Sequence, residues 1–293
     1  MSASRPDPWL FTPGPINTAE ATKRAMLRDY GSRDADFTAI TARVRTRLLG
    51  IVDGEASHVC VPLQGSGTFG VEAALGTLVP RSGKLLVLVN GVYGRRMARM
   101  CERLGRGFSV VETGETEPVR ARDLAQALKS DRGLTHVAAV HCETTSGILN
   151  PLEDIAAAVK DAGRSLLVDA MSTFGILPLS AREIPYDAVM ASSNKCLEGV
   201  PGLAFVIAQR SALEASAGNA PSLSLDLHDQ WRFLEQTGQW RFTPPTHVMA
   251  ALDAALDEFL REGGREARLA RYRRNCDVLI EGMRSLGFAP MVA

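Results

Sequence analysis

Between residues 57 and 208 the chain alternates short, nearly unbroken apolar runs with stretches in which apolar residues recur every three to four positions. The runs are Ser57–Leu63, Lys84–Asn90, Phe108–Glu112, His136–Cys142, Ser165–Ala170, Tyr186–Ser192 and Leu203–Ala208, most of them bounded by Gly, Pro or Asn. Apolar runs this short, without polar alternation, predict strands covered on both faces. Thr68–Val79, Gly91–Leu104, Arg120–Lys129 and Leu152–Ala162 carry the helical spacing. The alternation predicts an α/β fold with a mostly parallel sheet. Ligands of such sheets bind beyond the carboxyl ends of the strands, so the strand-to-loop junctions are where chemistry is to be sought.

Outside that region the pattern is helical. Asn17 and Glu20 have the spacing of a capping box opening a helix to about Arg28, and Asp36–Ile51 repeats at helical period. Past Thr246, Val248–Leu260 and Glu266–Leu286 are separated by Gly263 and Gly264. The final residues, from Gly287 to Ala293, read as the first strand of a further unit.

Charge narrows the partners. The 33 basic residues, five Lys and 28 Arg, balance 33 acidic ones. Phosphate-backbone binding needs clustered cations, so nucleic acid is disfavoured and a small molecule is the better default. Five Cys and five His are scattered without metal-ligand spacing, so no metal is expected. The Cys set reads as free thiols of a reducing compartment; with a polar, Pro-containing start and no apolar run near the roughly 20 residues of a spanning helix, this predicts a cytoplasmic protein without a membrane partner.

Five junctions carry chemistry. Ser193-Asn194-Lys195-Cys196 follows an apolar run, placing one of the few lysines at the sheet edge. Desolvation there would lower its pKa and make the amine a Schiff-base nucleophile; the alternative is a solvated loop lysine. Asp169 ends the run Ser165–Ala170, and a carboxylate at the end of a buried strand needs a partner: a protonated pyridine nitrogen, a helix N-terminus or a metal. Gln64-Gly65-Ser66-Gly67-Thr68, between a strand and a helix, suits a phosphate or is a plain turn; it lacks the spacing of the nucleotide-binding glycine loops. Tyr93 in Asn90-Gly91-Val92-Tyr93-Gly94 either stacks on a planar cofactor or caps an interface. His141-Cys142-Glu143-Thr144-Thr145-Ser146-Gly147 offers hydroxyls and an acid to a phenolate oxygen, or is the turn leading to Leu152.

Phosphate cradle, ring stacker, hydroxyl donor, pyridinium acid and Schiff-base lysine, in that chain order, resemble the fold type I pyridoxal-phosphate enzymes, in the alanine–glyoxylate/serine–pyruvate aminotransferase branch. Within it, Thr12–Pro15, the segment Asp29–Phe37, LQGSGTFGVEA, NGVYGRRM, HCETTSGILNPL, VDAMSTFG, SSNKCLEGVPG and FTPPTHV look like the 2-aminoethylphosphonate–pyruvate transaminase family, over essentially the whole chain.

The resemblance implies a large domain with a mostly parallel seven-stranded sheet in a three-layer α/β/α arrangement. It divides the chain into an N-terminal arm and helix (1–35), a large cofactor-binding domain (36–245), and linking helices with the start of a small α+β domain (246–293). It implies pyridoxal 5′-phosphate as cofactor, with Lys195 as Schiff-base and proton-shuttling residue and Asp169 on the pyridine nitrogen. Ser66, Gly67 and Thr68 would hold the phosphate, Tyr93 would stack on the ring, Thr144 would approach the phenolic oxygen, and Asn194 would contact the cofactor beside Lys195. Thr243 would reach the phosphate of a neighbouring subunit, making a homodimer with a shared site. Gly14 would lie beside the substrate, and Arg33 is the candidate for the phosphonate, or else one surface arginine among many. The implied reaction carries the amine of 2-aminoethylphosphonate to pyruvate, giving phosphonoacetaldehyde and alanine. Family members continue through a small C-terminal domain whose Arg clamps the substrate carboxylate; no residue here takes that role, so a truncated chain is expected. The rivals are an alanine/serine–glyoxylate aminotransferase and a cofactor-binding protein without turnover. A cysteine desulfurase would need a His stacking on the ring where this chain has Tyr93.

Overall fold

The computed structural model describes residues 7–292. In chain order the elements are α1 (Glu20–Arg24), continued by a 3₁₀ turn (Ala25–Leu27), α2 (Ala35–Ile51), β1 (His58–Gln64), α3 (Gly67–Leu78), β2 (Lys84–Val89), α4 (Val92–Arg103), β3 (Gly107–Glu112), α5 (Ala121–Ser130), β4 (Leu134–Val140), β5 (Cys142–Glu143), β6 (Ile148–Leu149), α6 (Leu152–Asp161), β7 (Ser165–Asp169), β8 (Ala188–Ser192), β9 (Leu203–Gln209), α7 (Arg210–Glu214), α8 (Leu227–Thr237), α9 (Thr246–Glu262) and α10 (Gly264–Ser285). Seven strands form one sheet in the order β1-β9-β8-β7-β4-β2-β3. Only β9 runs against its neighbours, and the remaining pairings are parallel.

The continuous apolar runs exist because each strand feeds two cores. Along β2, Leu86 and Leu88 join a cluster with Val44 and Leu48 of α2, Leu124 of α5, Ile155 of α6 and Leu252 of α9. Leu85, Val87 and Val89 point the other way, into a cluster with Leu75 of α3, Met97 of α4 and Trp231 of α8. Side chains alternate across a strand, so a run apolar at every position needs helices on both faces. The expected three-layer α/β/α arrangement is therefore present. The edge strand β3 is the exception, with exposed and half-buried positions throughout.

Strand order places the site. From β2 the chain moves outward to β3 and then returns to the other side of β2 as β4, so the connections leave in opposite directions between β2 and β4. A crevice opens at such a reversal, beyond the carboxyl ends. A buried amide pair pins its two walls. Asn150 Oδ1 accepts from Val119 N (2.9 Å) and Asn90 Nδ2 (3.0 Å), while its Nδ2 donates to Val140 O (2.8 Å) and Asn90 Oδ1 (3.2 Å).

Several expectations are corrected. Asn17 does not cap α1: Ala19 is the N-cap without a side-chain bond, because Asn17 Oδ1 accepts from Leu10 N (2.9 Å) and its Nδ2 donates to Pro8 O (2.9 Å). The α-helix ends at Arg24, and only a 3₁₀ turn carries it on. β8 begins at Ala188 rather than Tyr186, because the Asp187 carboxylate accepts from Leu166 N (2.7 Å) where a strand carbonyl would. β4 stops at Val140, and Cys142 belongs to the separate hairpin β5–β6. Residues 287–292 pair with no strand and form turn and coil; residue 293 lies outside the described residues. Helices α7 and α8 were not expected from the pattern. All five cysteines are free, and among the described residues no helix is long and apolar enough to cross a membrane. One grouping of metal-type ligands, Asp226, His228 and Asp229, lies at the start of α8, where Asp226 Oδ1 accepts from Asp229 N (3.0 Å) and His228 pairs with Asp229 (3.1 Å).

Replacing Asn150 by Ala strands the buried Val119 N–H and Val140 carbonyl. The expected loss is about 2–4 kcal/mol in urea unfolding; a loss under about 1 kcal/mol would mean that the amide pair does not hold the two strand ends together.

Candidate active site

Strand β8 is buried throughout, and the chain leaves it in a closed turn. Ser193 N donates to Leu203 O (3.0 Å), Glu198 N to Lys195 O (2.8 Å) and Gly199 N to Ser193 O (2.8 Å), so the residues after the strand fold back over its end. Lys195 stands half-buried in this turn. Burial lowers its pKa below the ordinary 10.5, against the opposing pull of Cys196 and Asp169. Its Nζ donates to Gly14 O at 3.3 Å. Gly14 sits at φ +138°, and a Cβ there would stand 2.4 Å from Lys195 Cδ, so only glycine lets the N-terminal arm lie against the lysine.

Asp169 ends β7, the parallel neighbour of β8, and is 4% exposed. Its Oδ1 accepts from Met171 N (3.0 Å). Desolvation pushes its pKa up to about 6; the Met171 amide opposes this, Glu143 adds to it, and Arg96 and Lys195 oppose it. A carboxyl held this way is poised to become fully ionised when a cation arrives.

Ser66 is the N-cap of α3 and makes no capping bond, leaving the Gly67 and Thr68 amides at the helix entrance, a site with partial positive charge. Gly67, Thr68, Tyr93, Arg96, Asp169 and Met171 line one crevice. Arg96 crosses it: its guanidinium lies 4.6 Å from the centre of the Tyr93 ring and donates to Thr68 Oγ1 (3.3 Å). Thr144 and Asn194 are half-buried, the first at the tip of hairpin β5–β6 and the second beside Lys195.

Two expected residues stand apart. Thr243 is exposed and lines a different cleft with Gln64, Gly65, Phe69 and Phe242. Arg33 is exposed in the turn before α2, where Asp34 N donates to Gly31 O (3.0 Å).

Sequence reasoning missed Arg96 and misread Glu143. Arg96 follows Tyr93 by one helical turn, a spacing that places both on one face. Glu143 is fully buried, and its carboxylate accepts from the amides of Tyr93 (3.2 Å) and Gly94 (3.4 Å) and from Thr145 Oγ1 (2.8 Å). Its oxygens thus close the N-terminus of α4 and hold the helix that presents Tyr93. Nothing local signals this, because the partners lie some 50 residues apart. His141, also buried, donates its backbone N–H to Asp169 O (2.8 Å); burial takes its imidazole down to about 4, so it is neutral at physiological pH.

The pH behaviour of Asp169 is a stability prediction. Its folded pKa is raised from 3.8 to about 6, so its stabilising contribution is complete below 3.8 and lost as pH rises through about 6. At neutral pH its ionised form costs about 2–3 kcal/mol in the cofactor-free protein. Asp169→Asn is expected to unfold at higher urea than the cofactor-free wild type at neutral pH, by about 2–3 kcal/mol, with the gap closing near about pH 4. A gap independent of pH would show that ionisation of Asp169 is not its source.

Residues 19–292 match the family described as aminotransferase class-V. The chain is 58% identical, over 280 residues, to the 2-aminoethylphosphonate–pyruvate transaminase of Pseudomonas putida (strain W619), an alignment covering 96% of this chain and 76% of the relative. Among solved structures it is similar to pyridoxamine–pyruvate aminotransferase from Mesorhizobium loti (TM-score 0.86, 28% identity, 95% of this chain and 71% of the other). It also shares the fold of alanine–glyoxylate aminotransferase from Nostoc sp. (TM-score 0.92, 24% identity, 100% and 78%). A lysine and a buried carboxylate at neighbouring strand ends, facing an open helix N-terminus, are thus set in a fold and a sequence that agree: the chain belongs to the aminotransferase class-V family.

Proposed function

We propose that this chain is a pyridoxal-phosphate-dependent transaminase that moves the amine of 2-aminoethylphosphonate to pyruvate, giving phosphonoacetaldehyde and alanine. The observation that carries the substrate pair is the 58% identity over 96% of the chain to a transaminase named for it. The donor set fits the cofactor: one crevice holds an anion-favouring helix entrance, an aromatic ring and a carboxylate with one oxygen engaged by Met171 N, and the Lys195 amine approaches from the adjoining strand end.

When bound, pyridoxal phosphate supplies the electron sink that lets an amine leave as its carbonyl. Lys195 Nζ would hold the cofactor and, when free, would accept and return the substrate's proton. Its lowered pKa keeps a larger neutral fraction available for both tasks. Asp169 would pair with the pyridine nitrogen, a cation that would remove the cost of its ionisation. The Gly67 and Thr68 amides, with the Ser66 and Thr68 hydroxyls, would receive the phosphate. Tyr93 would stack on the ring, Thr144 would approach the ring oxygen, and Asn194 would contact the cofactor beside Lys195. Gly14, whose missing side chain leaves room for Lys195, would lie beside the substrate. Arg33, exposed in the turn before α2, is the candidate that would meet the phosphonate dianion through a charge-assisted bond.

The functional unit is a homodimer in which Thr243 reaches the phosphate bound by the other copy. In support, Phe69 and Phe242, 48 and 49% exposed, line the cleft together with Thr243. Large apolar side chains gathered in this way mark a surface that another chain covers.

Amino-donor preference in a coupled assay tests the reading. The purified chain is expected to form alanine from 2-aminoethylphosphonate and pyruvate, and to do so far faster than it uses serine or alanine with glyoxylate. The opposite preference would assign it to the glyoxylate-using branch.

A further inference from the structure

The turn that carries Lys195 is held from outside the sheet. Arg268 of α10 is 1% exposed, a burial that a guanidinium tolerates only when its charge and donors are met. Its Nη1 donates to the backbone oxygen of Cys196 (2.9 Å), the residue after Lys195, and its Nε donates to Glu262 Oε2 (2.8 Å). The Phe259 ring lies beneath it, 5.0 Å away. One turn further along α10, Arg271 donates to Glu262 Oε1 (2.6 Å) and to Glu198 Oε1 (2.7 Å), and the Tyr272 hydroxyl adds a bond to that same Glu198 oxygen (2.9 Å).

Glu198 closes the lysine turn through its backbone N–H to Lys195 O (2.8 Å), and it does so at φ +59°, in the left-handed region. A non-glycine residue stays there only when its surroundings over-determine it. Here they do, through Arg271, Tyr272 and the 3.6 Å approach of Arg268. Such a network is more than α10 needs for its own docking, because two of its anchor points, the Cys196 carbonyl and the Glu198 carboxylate, belong to the lysine turn.

We infer that Arg268 and Arg271 form a clamp through which α10 sets the backbone of the Lys195 turn, making Arg268 a positioning residue for the reactive amine. The inference rests on the proposed role of Lys195. The clamp persists across the working pH range, since Arg271 and then Arg268 hold the Glu262 carboxyl down to about 2. The groups facing the lysine are Asp169 from β7, Cys196 from its own turn and the Gly14 carbonyl from the N-terminal arm. Loss of the clamp lets the amine leave this setting for water. The geometry also gives a displacement of α10 a direct route to the lysine turn, because Arg268's acceptor, the Cys196 carbonyl, belongs to the residue next to Lys195.

The test uses the full chain, stripped of pyridoxal phosphate and reloaded. Three readouts are taken on wild type, Arg268→Met and Arg268→Lys: the pH midpoint of the visible absorbance of the lysine–cofactor linkage, the rate of cofactor capture, and the thermal midpoint. A fourth, the pH profile of Lys195 acetylation in the stripped chain, read by peptide mass spectrometry, does not depend on the cofactor. Arg268→Met is expected to shift the absorbance midpoint by about one pH unit, slow capture about tenfold and move the acetylation midpoint up towards that of free lysine, with Arg268→Lys between it and wild type. A folded Arg268→Met with a lower thermal midpoint but unchanged absorbance, capture and acetylation would overturn the clamp and leave Arg268 as a prop for α10 alone. Should Arg268→Met fail to fold, Glu198→Gln decides by the same readouts: a shift of the same sign supports the clamp and no shift overturns it. Wild type that loads no cofactor on Lys195 would overturn the proposed function instead, and the acetylation profiles would still decide the clamp.

Discussion

The whole arrangement depends on keeping an amine and a carboxylate close together and out of water at the carboxyl edge of a sheet. Lys195 and Asp169 each give up hydration to be there, and each shows it: burial depresses the one and raises the other to about 6. Groups shifted towards neutrality in this way are reactive because their preferred partner has been withheld. Adjacent parallel strands bring them side by side, and a sheet covered on both faces by helices supplies the low-dielectric wall behind them.

Such an edge has to be held still, and three networks do so from different directions. Asn90 and Asn150 tie the ends of β2 and β4 across the point where strand order reverses. Glu143 reaches from the hairpin to the N-terminus of α4 and holds Tyr93 over the crevice. Arg268 and Arg271 grip the lysine turn from α10. Each network centres on a buried polar group whose hydrogen bonds are met by backbone, by a neutral side chain or by an opposite charge, the condition under which buried polarity gives rigidity rather than instability.

How far this could be read from sequence follows from what is local. Six of the seven main strands were legible because the need for helices on both faces is written into runs such as Leu85–Val89, and the edge strand β3 by its short run Phe108–Glu112 alone. Lys195, Asp169, Ser66–Thr68 and Tyr93 were legible because they stand where those runs end. The partners of Glu143 and Arg268 were not, since their bonds join residues about 50 and 72 positions apart and leave no periodic trace. Helix α8 escaped because its buried residues, Leu227, Gln230, Trp231 and Leu234, form too short a stripe to stand out from the polar sequence around them. Asn17 misled because its spacing to Glu20 fits a cap, while its side chain serves the arm that carries Gly14 towards the lysine.

The central claim is that the amine at the end of β8, and no other, carries the cofactor. Borohydride reduction of the chain loaded with pyridoxal phosphate, followed by peptide mapping, tests it most directly. A reduced pyridoxyl group is expected on the peptide containing Lys195 alone; cofactor-loaded protein with the label on Lys23, Lys84, Lys129 or Lys160, or with no stable label, would contradict the claim.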